Sequence, residues 1–186
     1  EIDPLLITHL NEHVPENVNI IHQDILDFDL SQFSGDVKII GNLPYNITSP
    51  IIFKFLNSTS WSKMVFMTQK EVAQRITSIH GNKTYGRLSV MTQALSDVEL
   101  SFTVPKTVFF PQPDVTSAIL TFEPINTTIP DIHHFSQVVK QAFSQRRKTL
   151  RNTLKDLFSA EELGEFSSKR AEELSVQNFI TLSTAK

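Results

Sequence analysis

The chain has 186 residues, 40% of them apolar and 14 of them Phe, which is enough to bury a core and excludes wholesale disorder. Cys is absent, so disulfide frameworks, thiolate nucleophiles, zinc fingers and iron–sulfur sites are excluded, and the composition suits the cytoplasm. The net charge of −3 conceals an uneven distribution: residues 140–155 hold six basic groups and no acidic one, leaving 11 basic against 20 acidic groups elsewhere. No apolar run approaches the roughly 18 residues of a membrane span, and no basic segment leads into an apolar one, so no membrane partner is expected. The sequence begins Glu-Ile-Asp, without Met.

In chain order, residues 3–13 read as the polar-faced start of a helix. Val18 to Gln23 is a short β-rich run ending at Asp24, followed by an acidic, turn-like stretch from Asp27 to Gly35. Val37 to Ile40 reads as a buried strand, cut off by Gly41-Asn42-Leu43-Pro44. A helix is expected from about Ser49 to Leu56, with Ser49 as N-cap and Pro50 at the first helical position. Met64–Met67 is an apolar strand running into a helix near Lys70–Thr77. A loop over 81–86 precedes a helix around Leu88–Leu95, and a strand follows at Val98–Val104. Phe109-Phe110-Pro111-Gln112-Pro113 must be irregular, because two prolines fix φ and remove donors. Ser117–Phe122 is the last strand. Helices alternating with short, continuously apolar strands predict an α/β domain whose mostly parallel sheet is covered on both faces. After Pro130 the pattern is helical only. The expected division is a domain over 1–126 and a small all-α domain over 131–186.

The basic run sits in this helical part. Val139, Phe143, Leu150, Leu154 and Leu157 follow helical spacing toward a core, while Arg147, Arg151 and Lys155 recur every four residues beside them. A docked helix with a cationic outer stripe suits phosphate contacts, and a solvated helix face is the plainer alternative.

Asn42-Leu43-Pro44-Tyr45 directly follows a strand, and in an open α/β sheet ligands bind beyond the carboxyl ends of the strands. The Asn42 side-chain oxygen and the Leu43 carbonyl can each accept an N–H from the exocyclic amine of a base. Pro44 restricts Leu43 to extended conformations and so holds the acceptors in place. Tyr45 offers a flat face to an extruded base. Two acceptors on an aromatic amine favour a pyramidal nitrogen with its lone pair free, which is what methyl transfer from a sulfonium donor requires. On its own the tetrapeptide is more often an ordinary turn after a strand.

The tetrapeptide resembles the catalytic motif of the ribosomal RNA adenine N6,N6-dimethyltransferases, most nearly the bacterial small-subunit enzymes. Four further stretches are similar to the same family, in the same order. They are Gln69-Lys70-Glu71-Val72, Tyr85-Gly86-Arg87-Leu88-Ser89-Val90, Phe109-x-Pro111-x-Pro113-x-Val115-x-Ser117, and Phe143-x-Gln145 through Asn152. The resemblance implies a Rossmann-like S-adenosylmethionine-dependent methyltransferase sheet. It also implies transfer of methyl groups to two adjacent adenosines near the 3′ end of small-subunit rRNA. By the same resemblance Glu1 binds the ribose hydroxyls of S-adenosylmethionine, Asp24 accepts from its adenine amine, the Ile25 backbone touches the adenine ring, and Asn42 serves both donor and target. Tyr45 stacks on the target adenine and Phe109 closes on it, although Phe109 alone reads more often as core, beside a Phe110 that also needs burial. Arg146, Arg147, Lys148, Arg151 and Lys155 are expected to bind rRNA, with Lys83 and Arg87 as lesser candidates. The expected partner is the immature small subunit, and the protein is expected to act as a monomer. A large-subunit rRNA adenine methyltransferase and a non-catalytic assembly factor are the alternatives.

The family opens with a strand and a Gly-rich loop, and no G-x-G occurs among the five glycines here. The expectation is a longer protein, with a β-run and Gly-rich loop upstream of Glu1; a chain truly starting there would bind cofactor poorly. No metal site is expected. His9 and His13 stand four apart without a third ligand, His133-His134 is placed in a linker, and Trp61 is expected to pack.

Overall fold

The computed structural model describes residues 1–33, 36–58 and 61–184 of the protein. Two residues of the acidic stretch (34 and 35) and the last two of the helical part lie outside them. Helix α1 spans Pro4–His13, capped by Asp3, whose carboxylate accepts from the Leu5 N–H. Strand β1 (Lys38–Asn42) leads through the tetrapeptide into α2 (Thr48–Leu56). Then come β2 (Lys63–Gln69), α3 (Lys70–Ile76), α4 (Arg87–Gln93), β3 (Ser96–Val104) and β4 (Ser117–Pro124). Four further helices follow: α5 (Ile132–Ala142), α6 (Leu150–Thr153), α7 (Ala160–Leu163) and α8 (Val176–Thr184). None of the described helices is long and apolar enough to cross a membrane.

The strand order is β1-β2-β4-β3. Among neighbouring strands only β1 and β2, joined through α2, pair in parallel; β4 runs antiparallel to both β2 and β3, so β3 points the same way as β1 and β2. The sheet is therefore mixed rather than mostly parallel. A parallel pair needs a crossover such as α2, whereas β3 and β4 are joined by an irregular loop without a helix long enough to cross back. This reversal brings Asn42, Gln69 and Ser117 to one rim, since Asn42 pairs with Met67 and Gln69 pairs with Ser117.

Alternation along β2 sends Met64, Phe66 and Thr68 inward. Phe66 stacks with Phe55 of α2 at 6.2 Å and meets Phe122 of β4 edge-on at 5.7 Å. Ile51, Ile52, Leu120 and Trp61 complete this core. A second core joins Phe135, Val138, Val139, Leu150, Leu154 and Phe179 of the C-terminal helices to Tyr85 and to Val90, Met91 and Ala94 of α4. Phe53 packs against both cores and links them.

Several expectations change. Residues 18–23 join no strand ladder. Their pairing with the chain's start is through Glu1, whose N–H donates to Ile21 O and whose carbonyl accepts from Gln23 N, both at 3.1 Å. A single partner residue is too short to make a strand. β1 is open on one side rather than buried, with Ile40 81% exposed. The cap of α2 lies two residues earlier than expected, at Ile47 and without a side-chain bond, so Pro50 falls within the first turn. His133 and His134 open α5 rather than a linker, and the His134 N–H donates to Asp131.

Candidate active site

β1 delivers Asn42 to the sheet rim, and the ladder persists one residue further, because the Leu43 N–H donates to Met67 O at 3.0 Å. Leu43 then turns its side chain into the core, where it is 6% exposed. The Pro44 carbonyl accepts from the Ile47 N–H at 3.2 Å and from Thr48 Oγ1 at 3.0 Å, which closes the turn into α2. The tetrapeptide is thus held at both ends by the backbone. Among the described residues, neither the Asn42 side chain nor the Leu43 carbonyl takes an internal hydrogen bond. Two acceptors therefore stand ready at the rim.

Tyr45 is 41% exposed, with its hydroxyl 3.3 Å from Ser117 Oγ at the start of β4. This bond ties the motif to the irregular loop that carries Phe109. Phe109 is half-buried, and among the described residues no ring contact joins it to Tyr45. Phe110 does not share its burial: it is fully exposed. Adjacent residues on an extended chain face opposite ways, so burying one directs the other to solvent.

A cavity of about 380 Å³ lies under the tetrapeptide. Its lining brings together Glu1, Asp24, Ile25, Asn42, Leu43 and Pro44, with Ile39 and Phe66 among its apolar walls. The carboxylates are oriented. Glu1 Oε1 accepts from the N–H groups of Ile2 (2.8 Å) and Asp3 (3.0 Å), and these bonds, the Asp3 one foremost, hold its carboxyl below the usual carboxylate range. Asp24 Oδ1 accepts from the Leu26 N–H at 2.8 Å. Each carboxylate keeps its second oxygen clear of these bonds. An apolar cleft with fixed acidic acceptors fits a cationic ligand bearing a ribose diol and an adenine amine, so the residues present suit S-adenosylmethionine.

The cationic residues are arranged otherwise than one helix stripe. α5 ends at Ala142 and α6 starts at Leu150, so Arg146, Arg147 and Lys148 lie in a turn, while Arg151 lies on α6 and Lys155 just beyond it. The break is made by partners distant in sequence: Leu150 N donates to Lys169 O and Arg151 N to Ser167 O. The core face is as expected, with Val139, Leu150 and Leu154 fully buried. Arg146 is engaged internally, donating to Lys83 O and pairing with Glu172 at 3.1 Å. Arg147, Lys148, Arg151 and Lys155 are exposed and make no ion pair among the described residues. Sequence reasoning missed Thr48 and Ser117 as supports of the tetrapeptide. Ser117 closes the Phe109-x-Pro111 pattern, and that signal was available.

A family model described as ribosomal RNA adenine dimethylase matches residues 1–185. The ribosomal RNA small subunit methyltransferase A of Xylella fastidiosa (strain Temecula1) is 46% identical over 180 residues, covering 91% of this chain and 68% of that protein. Its namesake from Francisella tularensis subsp. novicida is 43% identical over 178 residues, covering 88% and 67%. Among solved structures, a dimethyladenosine transferase from Plasmodium falciparum superposes with a TM-score of 0.83 at 22% identity, over 98% of this chain and 78% of that one. The 23S rRNA methyltransferase ErmE gives 0.65 at 22% identity, over 99% and 80%. These last two likenesses concern the fold.

Proposed function

Since the chain belongs to the ribosomal RNA adenine dimethylase family, we propose that Asn42-Leu43-Pro44-Tyr45 is where it dimethylates adenine in small-subunit rRNA. The protein is an S-adenosylmethionine-dependent rRNA methyltransferase. The observation that carries the site is the pair of unengaged acceptors, Asn42 Oδ1 and Leu43 O, at the mouth of the cavity that also holds Glu1 and Asp24.

S-adenosylmethionine supplies, when bound, an electrophilic methyl group on a sulfonium. The chain's own residues do the rest. Glu1 accepts from the ribose hydroxyls and Asp24 from the adenine amine, each through a carboxylate already fixed by backbone N–H groups. Asn42 Oδ1 and Leu43 O accept the two N–H bonds of the target amine. This draws the nitrogen toward a pyramidal shape and aims its lone pair at the cavity. Tyr45 stacks on the extruded base from one side and Phe109 from the other. Catalysis is positioning and electrostatics, with acceptors set before the substrate arrives. The substrate positions are two adjacent adenosines near the 3′ end of the RNA, and Arg147, Lys148, Arg151 and Lys155 hold its phosphates.

Labelled S-adenosylmethionine and immature small subunits provide the test, followed by primer extension on both rRNAs. Asn42→Ala should lower kcat by about 100-fold, as loss of one preorganised hydrogen-bonding group does elsewhere. Label unaffected by the substitution removes Asn42 from its role. Label in large-subunit RNA alone refutes the substrate.

A further inference from the structure

The turn that carries Asp24 is held from outside itself. Within it, the Asp27 N–H donates to Asp24 O at 3.0 Å and the Leu26 N–H to Asp24 Oδ1 at 2.8 Å, so two successive peptide groups grip one aspartate. Gln23 Nε2 donates to Asp27 O at 3.1 Å. A further acceptor of the turn, Leu26 O, takes a bond from Lys54 Nζ of α2 at 2.8 Å, across 28 residues of sequence. Lys54 is half-buried and makes no ion pair among the described residues. Its ammonium is directed at a main-chain carbonyl, although Asp24, Asp27 and Asp29 all stand in this stretch. Its charge reaches Asp29, whose carboxyl lies below the usual carboxylate range through the Ser31 hydroxyl and N–H first, with Lys54 contributing. Leu26 O belongs to the same peptide unit as the Asp27 N–H. A charged donor at one end of that unit strengthens the bond made at the other.

Lys54 does not line the cavity under the tetrapeptide. It lines a second one, of about 330 Å³, beside Phe28, Asp29 and Leu30. It is thus placed to act on a ligand beside Asp24 only through the turn. The helix that carries it is the one that starts at the tetrapeptide. Thr48 and Lys54 stand on α2 roughly 9 Å apart along its axis. One rigid element therefore bonds the Pro44 carbonyl at one end and the Asp24 turn at the other.

We propose that Lys54 is a positioning residue for the methyl donor: it clamps the Asp24–Asp27 turn to α2 and so fixes the second Asp24 oxygen, which accepts from the donor's adenine amine. This role rests on the reading of Asp24 given under the proposed function. A lysine suits it, because the ammonium is a compact charged donor on a long stem whose methylenes stay packed. Without the ammonium the turn keeps its own bonds, but its place relative to the tetrapeptide is no longer set. A loosened Asp24 loses its directional preference for an amine. Contacts to the rest of the donor are untouched.

Two ligands test it: S-adenosylhomocysteine, and its purine-riboside counterpart with hydrogen in place of the adenine amine. Affinities are measured by titration calorimetry on the parent protein, Asp24→Ala, Lys54→Met and Lys54→Arg. The parent should prefer the adenine ligand by about 20-fold, as a hydrogen bond to a charged group allows. Asp24→Ala should show no preference. Lys54→Met, which keeps a long apolar stem, should reduce the preference to about threefold, and Lys54→Arg, which still donates to Leu26 O, should recover most of it. Amide exchange at Asp27 in the ligand-free protein should quicken in Lys54→Met and not in Lys54→Arg. If Lys54→Met weakens both ligands alike and keeps the parent's preference, Lys54 only stabilises the fold; its positioning role is overturned and Asp24 keeps its assignment. Unchanged exchange at Asp27 overturns the clamp in the same way. If the parent shows no preference, or Asp24→Ala retains it, the reading of Asp24 fails and the role of Lys54 falls with it.

Discussion

Leu43 is the residue through which the sheet grips the tetrapeptide, and Leu43→Ala measures that grip. At 6% exposure nearly all of its side chain is buried, close to Gly41 and Phe66. Truncation removes three carbons, at about 0.8 kcal/mol each, and leaves a partly unfilled space, for a total cost of about 3 kcal/mol. Unfolding entropy is about 2.1 cal/mol/K per residue, so 186 residues give about 390 cal/mol/K and a fall in Tm of about 8 °C. The Leu43 carbonyl survives the substitution, so any effect on chemistry comes from its looser placement. Methyl transfer assayed well below both melting temperatures should lose about tenfold in kcat, as small misplacements of reacting groups do, with KM for RNA little changed. Calorimetry and single-turnover kinetics on one preparation supply both numbers. A Tm lowered by less than about 2 °C, or a full Tm loss with kcat intact, would falsify the claim that core packing sets the acceptor geometry.

Tyr45→Ala should reduce kcat/KM by about tenfold or more through lost stacking, whereas Tyr45→Phe, which loses only the bond to Ser117, should keep most activity. Equal losses in the two variants would assign the role to the hydroxyl instead. For Glu1, the carboxyl sits below its ordinary value because the N–H groups of Asp3 and Ile2 bond it. Its contribution is fully present above the ordinary carboxylate pKa and is lost only as pH falls through the lowered one. S-adenosylmethionine affinity, followed by equilibrium dialysis, should therefore stay level down to the ordinary carboxylate range and fall below it. Glu1→Gln should bind weakly throughout and lack that step; a step at or above the ordinary value contradicts the assignment. Arg146→Ala should speed amide exchange at Gly81 and Tyr85, because it frees Lys83 O and Glu172, whereas Arg147→Ala should leave exchange unchanged and weaken RNA in a salt-dependent way. Matching exchange rates in the two variants would mean that Arg146 holds nothing.

The turn at the tetrapeptide was legible because it is local, whereas Glu1 and Asp24 were singled out by the resemblance alone and read singly as solvated strand ends. A strand end followed by Asn-Leu-Pro-Tyr specifies acceptors and a rigid turn from adjacent residues alone, and the cavity lining unites Glu1, Asp24, Ile25 and Asn42. Strand direction was not legible. Met64–Met67 and Ser117–Phe122 carry the same apolar signal whichever way they run, and only the connection decides. The helix anticipated across the basic run followed a sound period, and its core face is buried as read. Its interruption depends on Lys169 O and Ser167 O, which claim the Leu150 and Arg151 N–H groups from further along the chain. The Val18–Gln23 run has strand composition, yet a strand exists only where a neighbour supplies a ladder. Phe109 and Phe110 look alike on the page, and backbone alternation alone separates them.

The reversal of β4 has a consequence for how the molecule can diverge. In an all-parallel sheet the segment before a strand arrives at the rim opposite the ligands. Here the segment before β4 arrives at the rim that carries Asn42 and is fastened there through Ser117 and Tyr45. The first cavity is lined by no residue beyond Phe66, while the loop over 105–116 is far downstream of it. The cavity proposed for the methyl donor and the loop proposed to meet the target base are thus encoded in separate stretches of one polypeptide. Exchange of the later stretch between relatives should retune which base is accepted and leave the cavity under the tetrapeptide as it was.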